Sequence, residues 1–189
     1  MDRATVGRSH TRTRRSKKLS YSTIRAELPA DEQAIHVLTV KAFAPMSFSD
    51  GSEAPILRAL RRSGELSLSL VALAEEGEIV GHVAFSPVTI NDLHNGWFGL
   101  GPISVAPAVQ RAGIGRALVQ SGLTILRERK ASGCALIGNP AIYSGYGFES
   151  DGLLTHGDLP VRIVQRVVFS GPAPKGELRF ASSFEVGNH

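Results

Sequence analysis

Two glycines one residue apart, in Val105-Ala-Pro-Ala-Val-Gln-Arg-Ala-Gly-Ile-Gly115, stand where a strand-like run gives way to a helix-like run from Arg116 to Lys130. A helix starting there leaves its first N–H groups without intrahelical partners and adds the positive end of its dipole. That combination suits a phosphate or pyrophosphate. Gly113 and Gly115 let the backbone approach an anion with no Cβ in the way. Two other glycine loops are excluded by inspection. A P-loop ends in Gly-Lys-Ser/Thr, whereas Gly115 is followed by Arg116; a dinucleotide fingerprint needs a third glycine where this chain has Leu118. Taken alone, the loop also reads as a glycine-rich helix start with no ligand.

Proton chemistry is sparser. Tyr143, in Tyr143-Ser-Gly-Tyr-Gly147-Phe148, is a phenol, a group whose reference pKa near 10 keeps it protonated at neutral pH. His82 is the best titratable base by chemistry, since imidazole titrates near neutrality. As a lone histidine inside a strand, it reads first as structural. Asp92 and His94 fall on a polar turn, and Trp97 to Val105 contains no carboxylate. Cys134 sits in an apolar run and reads as a buried thiol rather than a nucleophile. No Cys/His cluster has metal-ligand spacing, so no metal is expected.

Gln110-x-x-Gly113-x-Gly115 after Val105-x-Pro107, followed 28 residues beyond Gly115 by Tyr143-x-x-x-Gly147-Phe148, resembles the GNAT N-acetyltransferase superfamily. Gly81-His-Val, Phe85-Ser-Pro-Val, Leu100-Gly-Pro-Ile-Ser-Val and Gly138-Asn-Pro resemble its bacterial YhbS-type predicted acetyltransferases. The resemblance covers Tyr21 to Phe148 well and the last forty residues loosely. It implies acetyl-CoA as cosubstrate, with the pyrophosphate on Gln110, Arg111, Ala112, Gly113, Ile114, Gly115 and Arg116. It also implies a splayed strand whose free backbone groups, at Ile103 and Val105, pair with pantetheine, and a catalytic Tyr143 near the CoA sulfur. Phe43, Phe48 and Asp50 would fall near the acceptor pocket, although packing and turn roles suit each as well. Asn139 stands closer to the tyrosine than the family's usual asparagine, so no cofactor role is carried over to it. Tyr146 reads as packing.

The elements that must position these groups follow from periodicity. Tyr21 to Glu27 reads as a strand. Pro29-Ala-Asp-Glu opens a helix, with Ile35, Leu38 and Ala42 on one stripe. A second helix spans Glu53 to Arg62, and Leu66 to Glu75 with Glu78 to Ile90 make a hairpin. Trp97 to Val105 carries Pro102, which argues for a break in pairing. The helix after the loop has Ile114, Leu118 and Ile125 on one line, with Val119, Leu123 and Leu126 beside it. Cys134 to Ile137 is a short buried strand, and Val161 to Ser170 with Glu177 to Phe184 a terminal hairpin. The expected fold is α/β (α+β): a GNAT-like mixed, mostly antiparallel sheet of about seven strands with helices on both faces.

Among 189 residues, 42% hydrophobic, no apolar run approaches a membrane span, and a single cysteine excludes an internal disulfide. Residues 1–18 carry +6 of a whole-chain +4, leaving −2 for the rest, so the basic character belongs to the N-terminal arm. The arm has little apolar surface and no secretory core. The expected organisation is a basic disordered extension over 1–20, one domain over 21–184 and a short tail over 185–189. The expected partner is a small-molecule or peptide amine, with no membrane or nucleic acid, a homodimer left open and a cytoplasmic location. The alternative is a non-catalytic acyl-CoA-binding or regulatory protein, its arm bound to nucleic acid.

Overall fold

The computed structural model describes residues 21–187; the basic arm expected over 1–20 lies outside them. The strands are β1 (Tyr21–Ala26), β2 (Leu68–Ala74), β3 (Ile79–Pro87), β4 (Thr89–Ile90), β5 (Trp97–Val105), β6 (Gly133–Ile137), β7 (Leu154–Thr155), β8 (Val164–Val168) and β9 (Gly176–Arg179). The helices are α1 (Glu32–Phe43), α2 (Glu53–Ser63), α3 (Ile114–Glu128) and the single turn α4 (Pro140–Tyr143).

Six strands form the main sheet in the order β1-β2-β3-β5-β6-β8, every pair antiparallel except β5 with β6. A second sheet, β4-β9-β7, lies beside it. Alternation along β3 sorts the two faces of the main sheet. Val83 and Phe85 join Ile114, Leu118, Val119, Leu123 and Leu126 of α3, whereas Ala84 joins Ile35 of α1 and Leu57 of α2. Helices therefore cover both faces, as the apolar stripes require. Gly122 lets α3 come down onto the sheet, because a Cβ there would enter the Phe85 ring.

Two expectations are corrected. The run from Glu78 to Ile90 is two strands: Pro87 ends β3, and β4 turns into the second sheet. The terminal hairpin does not form. β8 pairs with β6, β9 lies between β4 and β7, and the chain after Arg179 enters a short 3-10 segment over Ser182–Gly187 packed near α2.

Candidate active site

β5 is paired with β3 along most of its length, with an irregularity opposite Val83 and Phe85 near Pro102. On its other edge only Trp97, Phe98 and Gly99 pair with β6. Beyond Gly99 the two strands part. The break that Pro102 suggested thus opens on the β6 side. The N–H of Ala106 donates to Val80 of β3 at 2.9 Å. Because backbone polarity alternates in an antiparallel pair, the N–H groups of Ser104 and Ala106 face β3. Those of Ile103 and Val105 face the gap. The Val105 carbonyl faces it too, and accepts from Gln110 Nε2 at 3.1 Å. Gln110 therefore ties the glycine loop to the end of the open strand.

In that loop Arg111 and Gly113 both have left-handed backbones, at φ 62° and 88°. Alternating left-handed residues curl successive N–H groups into a concave, anion-seeking nest. Gly113 is the residue before the first turn of α3, no side chain caps that turn, and nothing lies within 4 Å of where a Gly113 Cβ would project. Ala112 is half-buried and Ile114 is locked into the core, whereas Arg111 is exposed. The Gly115 Cβ position meets only ordinary contacts with Val105 and Ile103, so the loop sits directly over the open strand.

Arg116 joins the loop to the tyrosine motif. Its guanidinium donates to the Gly145 carbonyl at 3.2 Å and lies 5.9 Å from the centre of the Tyr146 ring. Tyr143 packs against Gly138 at the end of β6 and meets Tyr146 and Phe148 edge-on at 5.8 and 6.2 Å. Burial, together with the neighbouring Tyr146, pushes its phenol up to about 12. Asn139 caps α4 by accepting from Ala141 N at 3.0 Å, a backbone role that needs no ligand. The glycine loop, the open edge of β5 and Tyr143 thus border one gap, although they are far apart in sequence.

The other sequence candidates have surroundings of their own. His82 is fully buried. Its Nε2 is 2.8 Å from Ser69 Oγ and 3.7 Å from Glu27, and burial holds its pKa below the usual imidazole range. Such a ring has no direct contact with an amine arriving from solvent. Asp50 accepts from the N–H of Ser52 at 2.9 Å, a turn bond. Phe48 is 77% exposed and meets Phe43 edge-on. Asp92 pairs with Arg179 on the surface, His94 is exposed, and Cys134 is fully buried. Among the described residues no His/Cys/Asp/Glu group is placed to hold a metal, and no helix is long and apolar enough to cross a membrane.

Sequence reading missed the grouping of half-buried Glu27, Arg61 and Ser69 around the fully buried His82. Arg61 holds both oxygens of Glu27, at 2.7 and 3.0 Å, and Ser69 donates to the same carboxylate. These partners lie on three separate elements and just beyond a fourth, and no local spacing signals them.

Known proteins share both the sequence pattern and the architecture. The model of the acetyltransferase (GNAT) family matches residues 34–142. YhbS of Escherichia coli K12, an uncharacterized N-acetyltransferase, is 38% identical over 139 residues, 74% of this chain and 78% of that protein. A GNAT family acetyltransferase from Brucella melitensis, solved with acetyl-CoA, superposes with a TM-score of 0.77 at 39% identity, over 86% of this chain and 97% of that one. E. coli YhbS, solved with CoA, superposes with a TM-score of 0.80 at 30% identity, over 87% and 92%. With the family's motifs, its sheet and these relatives in agreement, the chain belongs to the GNAT family of acetyltransferases.

Proposed function

We propose that this protein transfers an acetyl group from acetyl-CoA to a primary amine, with both substrates bound together. The observation that carries the reading is the convergence of three features on one gap: an unpaired strand edge, a nest of N–H groups and a tyrosine. The relatives from B. melitensis and E. coli bind acetyl-CoA and CoA, which supports the same ligand here. The gap suits it chemically. The N–H groups from Arg111 to Arg116 would take the pyrophosphate, reinforced by the dipole of α3. The outward N–H groups of Ile103 and Val105 would pair with the pantetheine arm, as another strand would, and polarise the thioester carbonyl.

In the reaction the amine nitrogen bonds to the carbonyl carbon and the carbon–sulfur bond breaks. The amine gives up a proton to a solvent water, and the departing thiolate gains one from the hydroxyl of Tyr143. That hydroxyl has no hydrogen-bond partner among the described residues, and its raised pKa keeps it protonated until the sulfur leaves. Solvent then reprotonates the tyrosinate.

Titration calorimetry tests the binding half. Gly113→Asp puts a carboxylate into the nest at a left-handed position that Asp tolerates better than most side chains. It should weaken acetyl-CoA binding more than about tenfold, or about 1.4 kcal/mol. Tyr143→Phe tests the chemistry: kcat should fall roughly ten- to a thousandfold with acetyl-CoA affinity nearly unchanged. A wild-type protein that gives no heat with acetyl-CoA would sink the reading. Unchanged turnover in Tyr143→Phe would remove the tyrosine from it.

A further inference from the structure

α3 and its loop occupy one face of the β5–β6 gap, which leaves to an acceptor the other face, shared by α1 over Ser104 and the chain around the second sheet over Gly99. On that face the ring of Phe180 covers Gly99, the last β5 residue paired with β6; a Gly99 Cβ would stand 2.6 Å from it. Phe184 tilts against Phe180 at 5.0 Å, and the half-buried ring of His156 meets it edge-on at 5.7 Å. His156 Nδ1 lies 2.7 Å from the Leu178 carbonyl. A carbonyl only accepts, so Nδ1 carries the hydrogen and the neutral ring's lone pair is on Nε2. Nε2 has no partner among the described residues. Ser86 stands opposite Gly99 in register, hence on the same face, and its fully buried hydroxyl is also unpartnered.

Three of the five nearby carboxylates are engaged elsewhere; Asp158 and Glu185, beside His156 and Phe184, are exposed to solvent. Strand alternation turns Glu177 to the face opposite Leu178, where it accepts from Thr155 and the Gly157 N–H at 2.8 Å each. Asp92 is held by Arg179 and Asp151 by Arg166. A polycationic acceptor would want carboxylates in the wall itself, and His156, Phe180 and Phe184 supply none. This wall instead presents aromatic faces, which attract a single ammonium and cover a flat body.

We propose that His156, Phe180 and Phe184 form the acceptor subsite, and that it selects a primary amine carried on a flat apolar body whose nitrogen donates a hydrogen bond to His156 Nε2. The proposal rests on the acetyltransferase reading above. It is tested with the full chain, acetyl-CoA and three probes: phenethylamine, tryptamine and spermidine. The two arylalkylamines should exceed spermidine by about tenfold or more in kcat/KM, equivalent to about 1.4 kcal/mol. His156→Phe keeps a ring but removes the lone pair, and Phe184→Ala thins the wall from an outer turn. Each should raise the amine KM by about tenfold while the acetyl-CoA KM stays within about twofold. His156→Gln, which keeps an acceptor oxygen, should raise the amine KM less than His156→Phe does, and Phe184→Ala carries the test if His156→Phe fails to fold. A preference for spermidine, or amine KM values unchanged in the variants, overturns the subsite. So does acetyl-CoA binding with no acetylation of either arylalkylamine, an outcome that leaves the acetyl-CoA reading standing. Absence of acetyl-CoA binding in wild type overturns both.

Discussion

Burial weakens the acidity of Tyr143 and Cys134 alike, with opposite consequences for chemistry. The phenol of Tyr143, pushed up to about 12, is unavailable as a base near neutrality but remains a proton donor over the whole working range. Wild-type kcat should therefore show no alkaline loss below about pH 11, whereas an ordinary phenol would deprotonate near 10. A pH–rate profile with a falling limb centred near 10 would contradict this. The Cys134 thiol, wholly enclosed, is pushed far above its usual range. A thiol reagent at pH 8 should leave the native protein unlabelled and modify Cys134 only after denaturation, because the thiolate is the reacting form. The sequence singled out both residues, Tyr143 through a four-residue motif spacing and Cys134 through its apolar neighbours, and the thiol is buried as they suggest. It did not single out His156, because the carbonyl that fixes its tautomer comes from 22 residues away on another strand.

At the level of elements, local rules read well where a signal and its consequence lie close together. Proline and acids mark the start of the first helical segment, the apolar stripe of α3 fixes which side meets the sheet, and Gly113 marks where that helix begins. What cannot be read locally is partner choice. Nothing in Val164–Val168 or Gly176–Arg179 says that one will join β6 and the other β4 and β7. The close seat of α3 gives a separable test. Gly122→Ala improves helix propensity by about 1 kcal/mol, yet its methyl group meets the Phe85 ring, and overpacking costs about 1–3 kcal/mol. A net loss with a melting temperature a few degrees lower is expected. Phe85→Leu in the same chain should reverse the sign of the Gly122→Ala effect, since the two sites are in contact. Additive effects in a thermal-melt double-mutant cycle would show that Gly122 is not there to admit Phe85.

The whole molecule is fastened by a polar group that no periodicity suggests. Glu27, just beyond β1, receives Arg61 from α2 and Ser69 from β2, with His82 of β3 alongside. Burial by itself would raise the Glu27 pKa, but His82 close by and the hydrogen bonds from Arg61 and Ser69 outweigh it and bring the carboxyl down to about 2 from an ordinary 4.5. The carboxylate's contribution is complete above pH 4.5 and is lost as pH falls towards 2, because the unfolded chain takes up the proton first. His82 acts in the same direction: burial lowers its pKa, so below about 6.5 the unfolded state again binds more protons. Glu27→Gln removes the charge while keeping the shape. It should cost about 2–3 kcal/mol at pH 7, as expected for charge-assisted hydrogen bonds and a guanidinium left without its anion. The sharper signature is the slope. Urea unfolding at pH 7, 5 and 3 should show the wild type losing stability on acidification, while the variant, with no carboxyl to titrate at this position, loses distinctly less between pH 4.5 and 3. Parallel curves would mean that Glu27 is not held ionised by its neighbours, and the junction of β1, β2, β3 and α2 would then owe its stability to apolar packing alone.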